Sequence, residues 1–175
     1  YVQKRNGESE QYDVEKIHKV VEWATEDIKG VSFSDIEMNA NLSVYDKIST
    51  NEIHHILIKS AHDLISKSSP NYQYVAAKLL NMQLRKIIWG GMMPVNFLHF
   101  IQIRVDNGVY DPDILEKWSE EEVEDLGQYI NHERDYLFTY AGLQQMVDKY
   151  LVKNRSTGKI YETPQFAYMC IAMCL

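Results

Sequence analysis

Basic residues are scarce in this chain of 175 residues. Its 18 lysines and arginines face 25 aspartates and glutamates, a formal net charge of −7. That balance disfavours nucleic acid and anionic membranes as partners, so an anionic ligand needs a local cluster of cations. Cysteine is nearly absent: Cys170 and Cys174 stand alone, four apart in an apolar run. They supply no disulfide framework, no zinc quartet and no Cys-x-x-Cys redox pair, and the usage suits a reducing, cytoplasmic setting. With four prolines and eight glycines the chain is neither fibrous nor disordered. No apolar run reaches the length of a membrane span, and the start, carrying Lys4 and Arg5, lacks a signal peptide's apolar stretch. The longest C-terminal run, residues 166–175, stops abruptly, and a fragment of a longer protein is expected. Phosphate loops of the form Gly-x-x-x-x-Gly-Lys, Gly-x-Ser-x-Gly elbows and dinucleotide glycine fingerprints are also missing.

What remains is 45% hydrophobic, enough for one large or two small cores. Residues 2–5 read as a strand, Asn6-Gly7 as a two-residue hairpin turn, and residues 8–12 as the return strand. Asp13 stands at a helix N-cap ahead of Val14, Ile17, Val21, Ala24 and Ile28, one apolar face of a helix that stops at Gly30. Ser34 and Glu37 form a capping box opening a second helix to about Val44. Thr50 is the next N-cap, with Ile53, Leu57, Ala61, Leu64 and Ile65 turned inward. Pro70 opens a fourth helix that ends before Gly90-Gly91. A hairpin capping four helices over residues 1–90 is a credible small domain.

Residues 91–175 read as a second helical block. Helices are expected over 94–107, 112–118, 119–130 (opened by a capping box at Ser119 and Glu122) and 137–149. Residues 150–153 and 159–162 then alternate like strands around Ser156-Thr157-Gly158. Thr163-Pro164 launches a last apolar helix. The fold class is mainly α with a little β.

Two basic side chains at a hairpin tip, followed by a fresh helix N-terminus, make a pocket for phosphate. Lys86 continues the Val75, Leu79, Met82 stripe of the fourth helix; it either snorkels past the core edge or points over the domain's end toward an anion with Lys4, Arg5 and Lys16. Thr50 and His54, one turn apart, are either a cap and a surface histidine or contacts to phosphate and to a sugar or base. Glu15/His18 and Glu52/His55 have the Glu-x-x-His spacing of a carboxylate di-iron bundle, but residues 71–89 hold no acid to complete the set, so no metal site is expected. The acidic run 120–125 suits a helix N-terminus.

The motifs Val2-x-Lys4-Arg5-Asn6-Gly7, Asp13-Val-Glu-Lys16-Ile17-His18, Ile48-Ser-Thr50-Asn-Glu-Ile53-His54 and Leu84-Arg85-Lys86 resemble the ATP-cone, the nucleotide-sensing domain of ribonucleotide reductase large subunits. Downstream, Tyr150-Leu-Val-x-Asn154-Arg155-x-Thr157-Gly158-x-Ile160-Tyr161-Glu162 is similar to the aerobic, class Ia enzymes of bacteria and phages. The likeness covers essentially the whole chain. It implies an ATP-cone over 1–90 and the incomplete helical N-terminal region of the large subunit over 91–175, leading toward the reductase barrel.

By that resemblance, Lys4, Arg5, Lys16 and Lys86 hold a triphosphate, Thr50 meets phosphate or sugar, and His54 lies near the sugar. Glu10 and Asp13 read the adenine edge, and Ile17 and Ile53 pack on base or ribose. Asp13 stands where asparagine is expected; it accepts from the adenine amino group but cannot donate. The implied effectors are ATP, activating, and dATP, inhibiting, with magnesium. The implied partners are the radical-generating small subunit, the rest of the large subunit or a complementary chain, and further large subunits, in the cytoplasm (the host's, for a phage protein). The radical cysteines would lie outside this chain, which has no catalytic residue and alone should be inactive. The alternative is a non-enzymatic helical module that binds a partner protein and no nucleotide.

Overall fold

In the computed structural model the described residues are 1–4, 7–41 and 45–175. The sequence-expected roles of Arg5 and Asn6, and the end of the second helix at Val44, lie outside them. The chain divides into two compact units: Tyr1–Gln83 with Phe138–Leu143, and Leu84–Leu137 with Gln144–Leu175.

The first unit begins with β1 (Val2–Gln3) and β2 (Ser9–Glu10), paired antiparallel with Val2 opposite Glu10 and Gln3 opposite Ser9. The ladder closes where the Lys4 amide donates to the Glu8 carbonyl at 2.7 Å and the Gly7 amide to the Lys4 carbonyl at 3.0 Å. Lys4 thus stands opposite Glu8, and the expected Asn6-Gly7 turn lies partly outside the described residues. Gly7, at φ +87°, takes the left-handed conformation that favours glycine. A third strand, β3 (Ile48–Ser49), runs parallel to β1 and makes a three-stranded sheet in the order β2-β1-β3.

Helix α1 (Val14–Thr25) is capped as expected by Asp13, whose Oδ1 accepts from the Glu15 amide at 3.0 Å. It ends four residues before the expected Lys29. Val21 and Ala24 are buried, whereas Val14 is 54% exposed, so the inward face starts later than its sequence pattern suggests. Helix α2 (Phe33–Asn41) starts two residues earlier than the expected box allows. Ser32 Oγ, not Ser34, accepts from the Asp35 amide at 3.3 Å, and Glu37 is spent on His18 at 2.9 Å. Helix α3 (Thr50–Asp63) is capped by Ser49 rather than Thr50. Glu52 decides this: its carboxylate accepts from the Ser49 amide at 3.0 Å while Ser49 Oγ accepts from the Glu52 amide at 3.1 Å, a reciprocal box that needs three-residue spacing. Helix α4 (Tyr72–Ile88) contributes Val75, Ala76 and Leu79, all fully buried.

The second unit packs α5 (Phe97–Asp106), α6 (Asp113–Lys117), α7 (Glu120–Gln128) and α9 (Pro164–Cys174) around Phe97, Phe100, Ile101, Val123 and Phe166. The expected Ser119/Glu122 box caps α7, and Pro164 opens α9. The expected helix over 137–149 is instead a 3₁₀ turn (His132–Leu137), a short α8 (Tyr140–Gln145) and a π turn (Met146–Tyr150). Thr139 is the missed signal, its Oγ1 accepting from the Gly142 amide at 3.2 Å and setting the start of α8. The second hairpin reduces to one bridge, Lys153 with Ile160.

Candidate functional site

Side chains alternate along a strand, so residues two apart lie on one face of a ladder. With Val2 opposite Glu10, Lys4 opposes Glu8 and is the diagonal neighbour of Glu10 on the same face, within reach of a long side chain. The structure uses that reach: Lys4 Nζ lies 2.7 Å from Glu10 Oε2. Lys16, in the first turn of α1, closes on the other oxygen, Nζ to Oε1 at 2.8 Å. One carboxylate thus bridges two lysines. A cation in a first helical turn opposes the helix dipole, and Glu10 offsets it. The two ammonium groups hold the Glu10 carboxyl below the usual glutamate range, and Glu10 raises Lys4 through its hydrogen bond and charge.

Residues 10–16 line an open groove of about 500 Å³. It includes Asp13, committed to capping α1, Tyr12, given no role by the sequence, and Val14, expected on the inward face of the helix but exposed. The signal for Val14 was its place in the first turn, ahead of the buried face. Burial raises the Tyr12 hydroxyl, and the Glu37 charge adds to it.

Because β1 and β3 are parallel and Gln3 pairs with Ser49, the first turn of α3 lies beside the end of β1 that continues into Lys4. That places Thr50 at this end of the sheet. With Ser49 as the cap, the Thr50 hydroxyl is outside the capping box. Ile53 and His54 follow on α3, 9% and 7% exposed; the histidine belongs to the interior of this unit, not its surface. Ile17 is half-buried on α1. Lys86 is half-buried on the last turn of α4, within the second unit. So the sheet and α1 gather Lys4, Glu10, Asp13 and Lys16, and α3 presents Thr50, Ile53 and His54 from the neighbouring strand. The two Glu-x-x-His pairs are drawn apart: His18 goes to Glu37, and His55 Nε2 meets Gln83 Nε2 at 3.3 Å. Among the described residues no group of three or more acidic, histidine or cysteine side chains could hold a metal, and no helix is long and apolar enough to cross a membrane.

A small sheet closing a helical unit, with paired lysines at its rim, defines a class. Residues 1–87 match the ATP cone domain, and residues 136–175 match the ribonucleotide reductase all-alpha domain. The ribonucleoside-diphosphate reductase 1 subunit alpha of Salmonella typhimurium is 44% identical over 174 residues, and that of Escherichia coli 43%, each over 99% of this chain and 23% of the relative. The subunit alpha of Enterobacteria phage T4 is 46% identical over 98% of the chain, again 23% of the relative. The chain belongs to the ribonucleotide reductase large-subunit family and corresponds to its N-terminal region, ATP cone included. It spans about 23% of the length of these relatives.

Proposed function

We propose that residues 1–90 are the effector domain of a class Ia ribonucleoside-diphosphate reductase large subunit, binding ATP as activator and dATP as inhibitor. Residues 91–175 would be the helical region ahead of the catalytic barrel. The observation that carries this reading is the Glu10 carboxylate shared by Lys4 and Lys16 at 2.7 and 2.8 Å. Two cations spaced to take two oxygens of one carboxylate are spaced to take oxygens of a polyphosphate, so the residues present fit the ligand. Lys4 and Lys16 hold the triphosphate, the family resemblance alone adding Arg5 and Lys86, and Thr50 contacts phosphate or sugar. On losing the lysines Glu10 becomes an acceptor for the adenine amino group, with Asp13 beside it; Ile17, Ile53 and His54 line the base and ribose. Magnesium, a hard cation that keeps several waters, binds through the phosphate oxygens rather than a protein cage.

ATP and dATP differ by one hydroxyl, and a ligand shifts an equilibrium only by its differential affinity for two states. The states on this reading are assemblies of cytoplasmic large subunits with the radical-generating small subunit, the inhibited one favoured by dATP. Reduction of ribonucleotides takes place elsewhere in the complete large subunit, and the chain alone has no turnover. Calorimetric titration of the 175-residue chain with ATP and then dATP, magnesium present, tests the reading. Saturable binding of either supports it. No heat and no thermal stabilisation with both would leave a module that docks a partner protein without nucleotide.

A further inference from the structure

The second unit holds a cavity unrelated to the lysine pair of the first. It measures about 430 Å³ and lies among the C-terminal turn of α4, the end of α5 and the bridge strand at Lys159 to Tyr161. We infer that this cavity binds the phosphate group of a small ligand, held by Arg104 and Lys159.

Both cations sit on one ring. Arg104 Cζ lies 5.9 Å from the centroid of Tyr161 and Lys159 Nζ lies 5.4 Å from it. Both also line the cavity, and among the described residues neither forms an ion pair. No lining residue is acidic. The carboxylate that acts on Arg104, Glu162, is taken up by the Val152 amide at 2.7 Å and by the Tyr110 hydroxyl. A chain of net charge −7 that lines one cavity with two cations and no carboxylate leaves a place for a diffusible anion.

The guanidinium is also aimed. Its Nε donates to the Tyr161 carbonyl at 2.8 Å and its plane rests on Phe100, with Cζ 4.7 Å from that centroid. That fixes the fork and leaves both terminal nitrogens without a hydrogen-bond partner among the described residues, the paired donors a phosphate accepts. Asn107 adds a carbonyl and an amide at the rim; its Nδ2 also donates to the Ile103 carbonyl at 2.7 Å. Ile87 and Ile88 form an apolar wall, which suits an organic group carried by the phosphate.

The test uses the whole chain with Lys4→Ala and Lys16→Ala, so that the first unit's lysines do not contribute. Amide spectra are recorded against inorganic phosphate and, separately, phenyl phosphate. Saturable shifts confined to residues 107–109 and 159–161 are expected. Lys159→Ala, at an exposed position that leaves the core untouched, should weaken binding by about fivefold or more. Arg104→Lys, which keeps the charge and loses the fork, should weaken it further. Tighter binding of phenyl phosphate identifies an organic phosphate as the ligand; equal binding identifies free phosphate. Shifts that do not saturate, or affinities unchanged by Lys159→Ala with the fold intact, overturn the assignment.

Discussion

At the scale of single residues, Glu10 does two incompatible things. In the structure it is the counter-ion of Lys4 and Lys16, and on the proposed reading those lysines must leave it for phosphate. Glu10 then competes with the ligand for its own binding groups. Exposed ion pairs of this kind contribute little to stability and are easily exchanged. Glu10→Gln is therefore expected to tighten binding of tripolyphosphate by about two- to fivefold while narrowing the preference for ATP over GTP, because the adenine contact weakens. Calorimetry with the three ligands checks both halves. Lys4, Lys16 and Thr50 could be singled out from sequence because charge and hydroxyl placement are legible there. The Glu10 bridge was not, since a diagonal strand pair depends on register: with Val2 opposite Glu10, Glu10 falls on the face of Lys4, and a slip of one residue would have turned it away.

At the scale of elements, the start of α9 shows how a helix is held by something other than its own cap. Thr163 makes no side-chain cap bond. Asp135, fully buried on the preceding 3₁₀ turn, instead accepts from the Gln165 side chain at 3.1 Å and from its backbone amide. Burial pushes the Asp135 carboxyl up to about 6, against the pull of those bonds and of Arg85 and with a push from Glu133. Nearby His132 is driven down to about 4 by burial and by the Arg85 charge. Asp135 binds its proton more tightly folded than unfolded, so its contribution to stability falls as pH rises from about 4 to 6. His132 binds its proton less tightly folded, so its contribution rises from about pH 4 to 6.5. The two shifts are similar in size and opposite in sign, which leaves this pair nearly level across the window. Asp135→Asn should uncover a stability that climbs with pH, and His132→Gln one that declines. Denaturant midpoints at pH 4, 5, 6 and 7 read this directly, and parallel profiles in both variants would be the contrary result. Thr163-Pro164 is legible in the sequence as a helix start, but the Asp135 contact is not, because it reaches Gln165 from 30 positions away.

Across the whole molecule, the division into units does not follow a single cut. The chain passes from one unit to the other within α4, and residues 138–143 return to the first. Leu143 is fully buried there, and the Tyr140 ring meets His62 at 4.9 Å. A chain cut after Gly90 loses both. Its first unit is expected to melt about 4–8 °C or more below the same unit in the 175-residue chain, the shift that about 1 kcal/mol produces in a domain of this size. Equal midpoints, followed by the near-ultraviolet signal of the unit, would show that the returning segment adds nothing. Hydrophobic spacing and glycine stops made the helical layout legible as far as the double glycine. The returning segment was not, because Thr139 and Gly142 interrupt a run whose period otherwise reads as one helix.

The parallel pairing of β1 with β3 has a consequence for the order in which the molecule assembles. Val2 meets Ile48 only once the intervening segment, with α1 and α2, has been gathered, so that pairing carries a long loop-closure cost which the hairpin alone does not. The end of the unit that presents Lys4 beside Thr50 is then the last part to form and the first to open. Hydrogen exchange at the Lys47 amide, which donates to the Tyr1 carbonyl at 2.8 Å, should run ahead of exchange along α3 and α4, and a bound polyanion, bridging the two late-joined segments, should slow it. Ligand sensing and the final step of folding would then share the same few residues.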